Sequence, residues 1–217
     1  MNEIPDIENL LARSEQFETS LSDLLVNQPP DNDLRAQSVI SAIDVASEHA
    51  MAIRVLIKNT VYTTAMSVFR LQYESVVRAV WLQHAATDGQ IEKLMTTLST
   101  ESQQAASNST PAYSSMMDVI KAKAPPGLYK SLQGFRDESW KTLNSFVHTG
   151  IHALNRSRTG YPAVMLEAVI RQSNNLSHIG ALIFAECCRN QALFLAIVEL
   201  HKQFNDCLQI EGIESSA

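Results

Sequence analysis

Turn-forming residues are scarce, with seven glycines and seven prolines in 217 residues. A sandwich or barrel of short strands needs regularly spaced turns, so that class is excluded. Cysteine is scarcer still. Cys187, Cys188 and Cys207 are an odd number with no Cys-x-x-Cys pair, which excludes a disulfide framework and a zinc ribbon. No apolar run approaches the ~20 residues of a membrane span, and the longest stretches are IGALIF and ALFLAIV. The opening residues MNEIPDIENLL are acidic and lack the basic start and apolar segment of a secretory signal. Together these absences lead us to expect a cytoplasmic protein without membrane association. A glycine-rich phosphate loop, a nucleophile elbow and a cofactor fingerprint are also lacking, so no cofactor is expected.

What is present is helical patterning. The chain length suits one domain, 1–217, read as an all-α bundle of about five long helices with short ones inserted. The first helix is expected from Pro5 to about Asn27, and a second, capped by Asp31 or Asp33, to about Lys58. A third, with Thr60 as cap, should run to about Ala86, where TDG ends it. Between 88 and 135 the pattern weakens to two short helices separated by STESQQAASNST and followed by APPG, and this segment is expected to be a variable or mobile insertion. A helix through DESWKTLNSFVH follows, with Gly150 ending or bending it. A long helix from Pro162 to Cys188 and a last one to about Leu208 complete the bundle.

Charge is unevenly spread over a net of -6. Ten acids face only Arg13 and Arg35 up to residue 48, whereas 121–158 holds seven basic residues against Asp137 and Glu138. Such asymmetry steers an anion to the later segment, or the two regions face each other.

The third helix is apolar nearly all round, the mark of a central, buried helix. At 100° per residue, its charges Arg70, Glu74 and Arg78 form a narrow stripe at spacing four. Buried charge is costly unless paired or facing a cavity. Two readings stay open: an Arg-Glu-Arg network that fixes helix register, or a cleft where two arginines against one glutamate bind an anion such as phosphate.

A second stripe at spacing four is Asn144, His148, His152 and Arg156, provided the helix continues through Gly150. HTGIH superficially matches the zinc-binding His-Glu-x-x-His helix, but Thr149 stands where the glutamate is required and no third ligand is identifiable. No metal is expected. If Gly150 stops the helix, His148 lies near a helix C-terminus, where the dipole favours its protonated form.

FRLQYESVVRAVWL and WKTLNSFVHTGIHAL resemble a group of uncharacterised bacterial helical proteins, a domain of unknown function in which an Arg-x-x-x-Glu helix recurs with a later Asn-Ser-x-x-His segment. The resemblance covers about residues 35 to 205, includes GYP and RQSNN, and rests here on Arg70, Glu74, Arg78, Trp81, Asn144 and His148. More distantly the chain resembles HEPN-type helical domains, many of which are toxin or phage-defence ribonucleases. The resemblance implies metal-independent RNA cleavage by an Arg and a His separated by four to six residues. Arg78 with His84, and Arg171 with His178, have that spacing; chance alone supplies about one such pair. Arg171 and His178 are the better placed for catalysis, because seven residues return to nearly the same helix face.

Three classes of function stay open. The chain is expected to be a ligand-binding module, holding an anionic small molecule or RNA at Arg70, Glu74, Arg78, Asn144, His148 and His152, or an interaction protein that forms a homodimer. The alternative is the HEPN-like ribonuclease.

Overall fold

The computed structural model describes residues 5–208, and among them every regular element is helical. The order is α1 (Ile7–Leu25), α2 (Leu34–Lys58), α3 (Tyr62–His84), α4 (Asp88–Met95), α5 (Thr100–Ser109), α6 (Tyr113–Lys123), α7 (Pro126–Val147), α8 (Ile151–Thr159), α9 (Ala163–Cys187) and α10 (Gln191–Gln203), followed by a 3₁₀ turn at Asn205–Cys207. The all-α expectation holds. None of these helices is long and apolar enough to cross a membrane.

Side-chain caps start the first two helices. Asp6 accepts from the Asn9 amide at 3.0 Å, so Pro5 precedes the helix, and Asp33, not Asp31, accepts from the Ala36 amide at 2.7 Å. The expected cap Thr60 does a different job. It adopts φ 59 after α2, while the Val61 amide reaches back to the Leu56 carbonyl at 2.8 Å. This is a left-handed helix stop of the kind glycine usually fills. Thr149 (φ 52) and Arg189 (φ 47) end α7 and α9 in the same way, with returns from Gly150 to the Ser145 carbonyl and from Asn190 to the Ala185 carbonyl.

The segment 88–135 departs from its expected outline. TDG does not merely end a helix: Thr87 and Gln90 form a reciprocal cap that starts α4. The Ser/Gln-rich stretch is itself a helix, α5, started by the same kind of cap between Ser99 and Ser102, and it buries no residue. Pro126 opens α7 rather than breaking the chain, because the first helical turn needs no amide from it.

α3 is the central helix, packed against α2, α6, α7 and α9. Eleven of its 23 residues are buried, Trp81 among them. Its fully buried polar residues Gln72 and Tyr73 are matched: Gln72 Nε2 donates to the Ser173 carbonyl at 2.9 Å, Ser173 Oγ donates to Gln72 Oε1 at 2.7 Å, and Tyr73 donates to the Leu132 carbonyl at 2.7 Å. Tyr73 also stacks on Phe135 at 4.1 Å, which meets Phe69 edge-on at 5.1 Å, so aromatic contacts join α3 to α7.

A β-branched residue at positive φ is strained by about 1–2 kcal/mol, part of which glycine returns as unfolded-chain entropy. Thr60→Gly is expected to raise stability by up to ~1 kcal/mol, about 2–4 °C in midpoint, whereas Thr60→Ala, which keeps the Cβ, gains little; thermal melting of both variants distinguishes the two.

Candidate functional site

The α3 stripe and α7 meet through Arg70. Its Nε and Nη2 both donate to Glu74 Oε1, at 3.0 and 2.9 Å, and its Nη1 donates to Asn144 Oδ1. The guanidinium carbon lies 4.3 Å from the ring centroid of Trp140. Trp140 in turn stacks on Tyr113 of α6 at 4.6 Å and 12°. A planar guanidinium suits both the carboxylate and the indole, which an ammonium would not match. Burial raises the phenol of Tyr113 above its ordinary range, with neighbouring Tyr73 adding to the shift, so it stays neutral.

Arg78, one turn past Glu74, is half-buried and makes no hydrogen bond or ion pair with a described residue. Burial pushes its pKa down, and Glu74 pulls it back. An arginine nevertheless remains a cation at neutral pH. Arg136, half-buried on α7, has its guanidinium carbon 6.0 Å from the Tyr113 ring and makes no hydrogen bond or ion pair with a described residue. By contrast Arg13, Arg35, Arg54, Arg70, Arg171 and Arg189 each contact a carboxylate. Along the α3 stripe, two guanidiniums therefore share the one carboxylate of Glu74. Arg70, Glu74 and Arg78 line neither of two clefts, of about 270 Å³ beside Arg13 and Arg171 and about 140 Å³ beside Met66 and Gln172.

The second stripe is broken. α7 stops at Val147, His148 follows as its exposed cap, and the left-handed Thr149 turns the chain before Gly150 starts α8. A Cβ on Gly150 would lie 2.7 Å from Ser145 Oγ, so a larger residue here would displace the hydroxyl that accepts from the His152 amide. His152 is also exposed; its amide donates to Ser145 Oγ at 3.0 Å. Asn144 thus joins Arg70 and Glu74, while His148 and His152 form no hydrogen bond with the α3 stripe. Trp140 could have been read at four residues before Asn144. Tyr113 and Arg136 enter only through tertiary packing.

The two Arg-His pairs lie elsewhere. His84 Nε2 is 3.3 Å from Glu186 Oε2, away from Arg78. Arg171 donates to Glu167 at 2.9 Å and to the carbonyls of Asp206 and Leu208, holding the end of the described chain. His178 is only 7% exposed and packs on His201, with ring centroids 4.4 Å apart. The Nδ1 atoms of both rings are buried without a hydrogen-bonding partner among the described residues. Burial, and then the His201 charge, push His178 down to about 3. No group of three or more His, Cys, Asp or Glu side chains arranged to hold a metal occurs among the described residues.

The unfolded chain binds a proton on His178 near pH 6.5 and the folded chain does so only near pH 3. The associated stability is therefore complete above about pH 6.5 and is lost as pH falls toward 3. Wild type should lose up to ~1.4 kcal/mol per pH unit from this group below pH 6.5, and His178→Phe should flatten that slope between pH 6.5 and 5 in urea titrations.

No curated protein and no solved structure matches the chain. A family model does match residues 43–210, a span that takes in the Arg70 stripe, Asn144 and the α9 residues. The chain belongs to the family of unknown function DUF6988.

Proposed function

We propose that this protein is an anion-binding module in which Arg78 receives a phosphorylated small molecule such as a nucleotide, with Arg136 of the adjoining α7 adding to the positive field. The observation that carries this reading is Arg78: a half-buried cation, on a central helix, without a hydrogen-bonding partner among the described residues. A desolvated guanidinium gains most from a forked, charge-assisted bond to an oxyanion. Glu74 is engaged by Arg70 and leaves Arg78 only long-range attraction. Arg70, Asn144 and Trp140 form the scaffold that fixes this surface and are not ligands themselves. His148 and His152 stand outside it.

The ribonuclease reading finds no support in the Arg171 and His178 geometry. Arg171 is committed to Glu167 and backbone carbonyls, and His178 is buried and neutral. A general acid or base has to reach its substrate.

Thermal melting tests the proposal with inorganic phosphate, ATP, ADP and a short RNA as probes, in magnesium-free buffer. At least one probe should raise the wild-type midpoint, and Arg78→Gln should abolish that rise with its own basal midpoint nearly unchanged. A wild-type midpoint indifferent to every probe, or a rise that survives Arg78→Gln, would sink the reading. Cleavage of the RNA in the same incubation would point to the enzyme instead.

A further inference from the structure

Two helices expose apolar strips that no described segment covers. On α2, Met51 is 56% and Val55 54% exposed; on α8, Ile151 is 78% and Leu154 61% exposed. α8 is held by α7 and α3 and buries only Ala153. Each strip continues into exposed charge. Glu48, Met51 and Val55 fall within about 60° on α2, with Asp44 one turn earlier, and Ile151, Leu154 and Arg158 fall within a similar arc on α8. Asp44, Glu48 and Arg158 form no ion pair with a described residue. The α2 strip is thus acidic and apolar, and the α8 strip basic and apolar.

The spacings match as well. Each strip runs over eight residues, seven helical steps or about 10.5 Å. Laid antiparallel, Ile151 meets Val55, Leu154 meets Met51, and Arg158 meets Glu48. The middle pair is out of step by one residue, about 1.5 Å, which a flexible methionine accommodates. A partner with a basic face alone would satisfy α2 and leave α8 open, whereas another copy of this chain supplies both complements. We propose that the α2 strip of one copy docks on the α8 strip of a second. Because each copy offers both strips, the contact drives self-association of the chain. The contact involves neither Arg78 nor Arg136, so it stands independently of the anion site.

Sedimentation velocity of the full chain, at dilute and concentrated loading and in low and high salt, tests the pairing. The expected result is concentration-dependent self-association weakened by salt, since the Arg158 to Glu48 pairs lie at the rim of the contact. Glu48→Arg and Arg158→Glu, each on an exposed position, should raise the dissociation constant about tenfold, equivalent to about 1.4 kcal/mol, and the double exchange in one chain should restore it. Unchanged melting midpoints show that the variants fold. A monomer at every concentration, which would leave the strips to a different partner, or an association indifferent to both exchanges, overturns the proposal.

Discussion

The Arg70 guanidinium is held on three sides: by Glu74 along its own helix, by Asn144 across on α7, and by the indole of Trp140. These contacts tie α3 to α7, and because Trp140 stacks on Tyr113 they also fix the start of α6. They consume the nearest carboxylate at the same time. An i, i+4 pair on a helix is ordinarily weak, but here the charges are partly desolvated and a third residue shares the fork. What remains of the stripe follows from this commitment: Arg78 keeps its charge and has only distant attraction from Glu74.

The same core treats other polar groups differently. Gln72 and Ser173 satisfy each other, and Asn174 donates to Ser14 and to the Cys207 carbonyl, both at 2.8 Å, joining α9 to α1 and to the 3₁₀ turn. A net hydrogen bond contributes about 1 kcal/mol, whereas a buried unpaired polar atom costs about 1–3 kcal/mol. Among the described residues, Nδ1 of His178 and of His201 are buried without a partner, as is Oδ1 of Asn174, and the neutral state of His178 is the chain's response to its burial. The two rings meet where α10 packs on α9, which makes them a determinant of stability.

Periodicity and acidic caps made α1, α2, α3 and α9 legible from the residues alone. The ends of α2, α7 and α9 were also readable to within a few residues, but the left-handed residues that make the stops were hidden for one reason. With few glycines in the chain, Thr60, Thr149 and Arg189 occupy left-handed positions that a reader assigns to glycine. The Thr149 turn is what separated His148 and His152 from the stripe they were expected to share with Asn144. α5 was missed because its start is written in a serine cap and its interior buries nothing, so it has no apolar period to find. At the site, Arg70, Glu74 and Asn144 were readable from spacing four. That they touch one another, and that Tyr113 and Arg136 stand close by, depends on how α6 and α7 cross α3, which no local pattern encodes.

The central claim is a division of labour along one helix face, with Arg70 committed to the scaffold and Arg78 open to an anion. Arginine side-chain NMR on nitrogen-15-labelled protein, titrated with ATP, reads both groups in one experiment. The account predicts a slowly exchanging Arg70 Nε–H signal that ATP leaves unmoved, and an Arg78 signal that shifts saturably. Equal shifts at both arginines, or an Arg78 signal that does not respond, would contradict it.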